Sequence, residues 1–181
     1  MVEFPPLPQW SGLHALIIHF PIALLLVAPF FIAIGAALKP KRALNFHIAA
    51  FVLMVLGTAA VVIAVESGEA AGKLADRTPQ ISAVLERHEH LAETTRTTFA
   101  LLTVVFALLL VAPHLLRRGD SRIATTALPL LFLLAYGFGA VLLANTAHHG
   151  GRLVHEFGVH SIVAGSGAPV AAPAETEPSG D

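Results

Sequence analysis

The chain has 181 residues, is 55% hydrophobic and only 13% charged, and has a formal net charge of −1. A soluble domain of this size carries about 25% charged residues, and the near-neutral balance gives no hint of a nucleic-acid partner. There is no cysteine, which excludes disulfides, thiolate metal sites and the covalent haem attachment that needs C-x-x-C-H.

The N-terminal "MVEFPPLPQW" has no basic region and no small-residue cleavage site, so the first apolar run reads as a helix rather than a signal peptide. Four runs lack Asp, Glu, Lys and Arg: Leu16 to Leu38, Ala43 to Val65, Thr97 to Leu116, and Ile123 onward to His149. About 20 apolar residues in a helix cross a hydrocarbon core of roughly 30 Å. The expected fold is therefore all-α, a four-transmembrane-helix bundle with spans near 15–38, 43–65, 91–116 and 123–147. These make one domain over 1–163, and 164–181 reads as a flexible Ala/Pro-rich tail. No internal repeat stands out.

The first helix begins with His14 and His19 and contains Pro21, which removes a backbone bond and can bend the segment. "KPKR" (Lys39, Lys41, Arg42) joins helices 1 and 2, and "RRGDSR" (Arg117, Arg118, Arg122) joins helices 3 and 4. The positive-inside rule places both in the cytoplasm and both termini outside, on the periplasmic side of a bacterial inner membrane. Glu66-Ser67-Gly68 is expected to end helix 2. Thr78 reads as an N-cap with Pro79 at the first helical position. From there helix 3 runs unbroken to Leu116, about 57 Å, well beyond the membrane on the outer side. Gly150 and Gly151 read as terminators of helix 4.

Eight of the ten histidines fall at or beyond the outer helix ends; His47 and His114 lie near the inner ends. Counting up from the inner ends, His14 stands at about 36 Å, Glu66 at about 35 Å, His88 at about 42 Å and His149 at about 39 Å, with His19 deeper at about 28 Å. A lone interfacial histidine is ordinarily an amphipathic interface residue. Ionisable groups converging from several membrane helices instead mark a site in the bundle interior. The candidate ligands are His14, His19, His88 and His149, with Glu66, His90 and His148 as further members. His14 is expected at the rim and His19 nearer the floor. His90, His155 and His160 read as solvated, and His47 and His114 as interface residues rather than a second site.

"HALIIHFPIA" (His14 to Ala23), "ESGEAAG", "HEHLA" with His88, and "HHGGRLV" (His148 to Val154) together resemble the DUF2231 family of bacterial four-helix membrane proteins. The resemblance spans about residues 10 to 160. It implies a b-type haem, found in company with c-type cytochromes.

The leading functional expectation is a membrane-bound b-type haem protein, an electron-transfer subunit of a larger respiratory or photosynthetic complex. Other membrane subunits and a periplasmic or quinone redox partner would then be its partners. A copper or zinc site on the same histidines, and a cofactor-free anchoring subunit, are the alternatives. No nucleophile–base pair or phosphate loop is present, so a stand-alone hydrolytic enzyme is not expected.

Overall fold

The computed structural model describes residues 8–75, 77–115 and 121–159, with the side chain of His114 outside the description. His160 and the 164–181 tail also lie outside the described residues. Regular structure among the described residues is helical throughout: α1 (Trp10–Ile17), α2 (His19–Ala37), α3 (Pro40–Gly72), α4 (Pro79–Leu115), a single π turn (Ile123–Ala127) and α5 (Leu128–His155). They form four segments long and apolar enough to cross a membrane: Trp10–Ala37, Pro40–Gly72, Pro79–Pro113 and Ile123–His155.

The bundle exposes many large apolar side chains on its outer face. Phe20, Phe30, Leu101, Leu131, Leu134 and Phe138 are all exposed, while Ala28, Ala43 and Ala50 are fully buried. Hydrocarbon solvates the outer face as well as a core would, so association rests on close packing of small residues. Aromatic rings fill the remaining interior. Phe99, Tyr136, Phe132 and Phe106 stack in succession at 5.5, 5.9 and 4.9 Å, and Phe106 meets His47 at 6.2 Å.

Local sequence explains most helix boundaries. Pro21 has no N–H for the carbonyl of Ile17 and its ring crowds that turn, so the first span breaks at Ile18 between α1 and α2. Pro40 starts α3 after a two-residue connection. Thr78 Oγ1 accepts the Ile81 N–H at 3.3 Å and caps α4, as its position before Pro79 predicts.

Two expected helix ends are absent. Helix α3 continues through Glu66-Ser67-Gly68 to Gly72, and α5 continues through Gly150 and Gly151 to His155. Ser67 does not break α3 because its hydroxyl bonds back to Ile63 O at 2.7 Å within the helix. A second apolar cluster of Ile81, Leu85 and Leu153, backed by Val84, Phe157 and Val159, rewards continuing the helices beyond the main core.

In order around the bundle, α2 packs on α3, α3 on α4, α4 on α5, and α5 on α2. This ring carries a repeat that the sequence hides. The buried positions Pro21, Leu25, Ala28 and Ile32 of α2 correspond to Thr95, Phe99, Leu102 and Phe106 of α4, a constant shift of 74 positions. Ala43, His47, Ala50, Met54, Gly57 and Val61 of α3 correspond to Thr125, Pro129, Phe132, Tyr136, Gly139 and Leu143 at a shift of 82. Each pair is buried in both halves. The bundle is thus two like hairpins, α1–α3 and α4–α5, placed as a pseudo-two-fold pair. The longer basic connection between α4 and α5 absorbs the difference between the two shifts.

Candidate functional site

The shift of 74 carries His14 onto His88. Both lie on diagonally opposite segments of the ring, and their imidazoles meet with centroids 6.4 Å apart and planes crossed at 82°. Each is held in the same way. His14 Nδ1 donates to Ala64 O at 2.8 Å, and His88 Nδ1 donates to Thr146 O at 3.0 Å. Ala64 and Thr146 are themselves counterparts under the shift of 82. A carbonyl only accepts, so Nδ1 carries a proton in both rings, which leaves Nε2 as the nitrogen that could hold a metal.

Glycine makes room for each ring. A Cβ on Gly68 would lie 2.9 Å from His14 Cε1, and one on Gly150 would lie 3.0 Å from His88 Cε1. Gly68 and Gly150 are again counterparts, each four residues after the carbonyl that its histidine holds. Any larger residue would displace the ring. Gly68 and Gly150 therefore serve close approach in mid-helix rather than termination.

The two rings line a cavity of about 520 Å³ between α1, α3, α4 and α5. Its walls are mostly small or apolar: Ala64, Val65, Ala92, Leu143 and Ala147 stand beside Gly68 and Gly150. Thr95 and Thr146 share a hydroxyl–hydroxyl bond of 2.8 Å on one wall. Two imidazoles that line one apolar cavity, each with Nδ1 committed to a carbonyl, could hold a metal or haem iron through Nε2. A carbonyl behind each ring is the usual outer partner of a ligating histidine.

The other expected ligands do not converge. His149 Nδ1 donates to Asn145 O of its own helix at 3.0 Å, and its ring packs on His148 at 5.5 Å, outside the cavity. Thr146, three residues earlier, presents its carbonyl to the site in its place. Glu66, His90 and His148 are exposed and line no part of the cavity. They share the level of His14 but point elsewhere around their helices. His19 lines the cavity yet is exposed, whereas His14 is half-buried and hydrogen-bonded. The expected order is thus reversed, with His14 inside and His19 at the rim. His155 also lines the cavity, which its placement among solvated residues did not anticipate; only the extension of α5 brings it there.

His47 is buried inside the bundle, 3% exposed. It packs against Gly35, where a Cβ would lie 2.5 Å from its ring, and its Nε2 has no hydrogen-bond partner among the described residues.

No curated protein and no solved structure matches the chain. A family model described as a predicted membrane protein matches residues 11–162, a stretch that contains both imidazoles, both glycines and the four membrane segments except Trp10, and the chain belongs to that family, DUF2231.

Proposed function

We propose that the protein is a membrane-bound b-type haem protein whose iron His14 and His88 would hold, serving as an electron-transfer subunit of a larger membrane complex. The observation that carries this reading is the crossed pair of imidazoles 6.4 Å apart, each fixed by a carbonyl on Nδ1. A bound haem iron supplies one-electron chemistry whose potential depends on axial ligands and burial. The chain's own part is to hold two imidazoles in one tautomer, exclude water with an apolar wall, and place the site near one membrane face. With the basic connections in the cytoplasm, that face is the periplasmic one of a bacterial inner membrane. A periplasmic carrier or a quinone at that level would be the electron partner.

Copper or zinc is the second reading. Structural zinc takes four ligands and catalytic zinc three from the protein. No group of three or more His, Cys, Asp or Glu within reach of one ion occurs among the described residues. A pair of imidazoles would suffice to hold a haem iron, whose macrocycle supplies the other nitrogens.

The test is a visible spectrum of purified protein after haem-replete expression, oxidised and then reduced with dithionite. A Soret band near 410–430 nm that shifts on reduction is expected, with the position of the band taken as a rough general property of bound haem. Absence of the band, with stoichiometric copper or zinc by elemental analysis, would overturn the haem reading in favour of a metal ion.

A further inference from the structure

The two-fold repeat fails at the edge of the cavity. Its two lateral seams, α1/α2 with α5 and α4 with α3, are counterparts under the shifts of 74 and 82, yet their residues differ in exposure and charge. On the α3–α4 seam, Val65, Gly72 and Leu85 are buried. The Glu89 carboxylate lies over Gly72, where a Cβ would be 2.9 Å from Oε1, and Glu69 stands on the same seam. That side is closed at Val65, Gly72 and Leu85 and is acidic, although Glu69 and Leu74 at its end are exposed. On the other seam, Ala15, His19, Ala147, Val154 and His155 line the cavity and are all exposed. Helix α1 leans on α3 rather than on α5, so this seam stands open. Ala147 occupies the place of Val65, and Ala15 the place of Glu89.

The open seam carries no carboxylate among its lining residues. The nearby Arg152 is paired with Glu156 at 2.9 Å. That leaves His19, from the start of α2, and His155, from the end of α5, as the N–H donors at the rim.

We propose that the α1–α5 seam is the mouth of the site and that His19 and His155 hold the acidic edge of its ligand there. The inference rests on the haem reading. Iron protoporphyrin is a flat apolar disc with two propionates on one edge. Glu69 and Glu89 repel that edge from the closed seam, and imidazole N–H groups attract it to the open one, since charge-assisted hydrogen bonds are roughly twice as strong as neutral ones. His19 is thus a specificity-determining residue at the rim rather than an iron ligand.

The test titrates the purified apo-protein in detergent with iron protoporphyrin IX and, separately, with its dimethyl ester, and reads the Soret band. The wild-type chain is expected to bind the diacid at least tenfold more tightly than the diester. His19→Leu with His155→Leu should remove most of that preference while leaving the band position unchanged. His19→Glu with His155→Glu should invert it, and circular dichroism verifies that both variants keep their helices. Absence of a Soret band with either porphyrin in the wild type would refute the haem reading itself. Normal bands with the diacid preference intact in the leucine variant would overturn the inference and leave the haem reading standing.

Discussion

Tyr136 Oη donates to the carbonyl of Leu25 at 2.6 Å, and that carbonyl is the one Pro29 leaves without a donor. Proline lacks the N–H that would close the turn from four residues on. The partner comes from α5 across the bundle. In hydrocarbon no water can take its place.

Removing that hydroxyl should therefore cost more than the loss of one surface bond. Tyr136→Phe is expected to destabilise the protein by about 1–3 kcal/mol, the penalty of an unsatisfied buried polar group. Adding Pro29→Ala restores an N–H to Leu25 O and should recover a large part of that loss. Thermal unfolding in detergent of the two single variants and the double variant measures the coupling.

Three glycines separate close packing from helix propensity. A Cβ on Gly57 would lie 2.7 Å from Leu25 Cγ, one on Gly139 would lie 2.9 Å from Leu102 Cδ1, and one on Gly137 meets nothing within 4 Å. Gly57→Ala should cost about 1–3 kcal/mol by overpacking. Gly139→Ala should cost less, because the Leu102 methyl is the free end of a side chain. Gly137→Ala should be neutral or gain up to about 1 kcal/mol from helix propensity. Chemical or thermal denaturation curves rank the three.

The ligand assignment yields a different ranking. His14→Ala and His88→Ala should each abolish the low-spin spectrum of the haem-loaded protein. His149→Ala and His90→Ala should leave it unchanged, since neither side chain lines the cavity. Gly150→Ala should perturb the spectrum without touching a ligand, because its methyl group pushes on the His88 ring. A spectrum lost with His149→Ala and kept with His88→Ala would reverse the assignment.

Orientation is open to a clean labelling experiment, because the chain has no cysteine to interfere. Lys41→Cys, at the basic end of α3, should resist a membrane-impermeant thiol reagent in intact bacterial cells. Leu74→Cys, just beyond the other end, should react. The opposite pattern would invert the topology and bring the histidine pair to the cytoplasmic face.

Four helices were legible because hydrocarbon tolerates few charges, and each span shows as an uninterrupted apolar run. His14 and His88 were named as candidates by counting height along each helix, which orders residues along the axis. Height says nothing of direction around the helix, so the count could not tell that His14 and His88 line the cavity while His149 and Glu66 do not. Gly68 and Gly150 misled for another reason: their role is to admit a ring from a neighbouring helix, a tertiary demand that local sequence does not announce. The repeat was hidden because lipid-embedded cores exchange Leu, Val, Ala and Phe freely. Identity survives mainly where geometry is strict, at His14 and His88, Gly57 and Gly139, and Gly68 and Gly150.

The pairing of His14 with His88 joins the first hairpin to the second. Within the chain, only residues 73–78 connect them covalently. A ligand gripped by both imidazoles closes a second tie between the halves and makes a loop of the molecule. Occupancy of the site and assembly of the bundle then become one equilibrium: anything that empties the site loosens the grip of one half on the other, and anything that parts the halves releases the ligand.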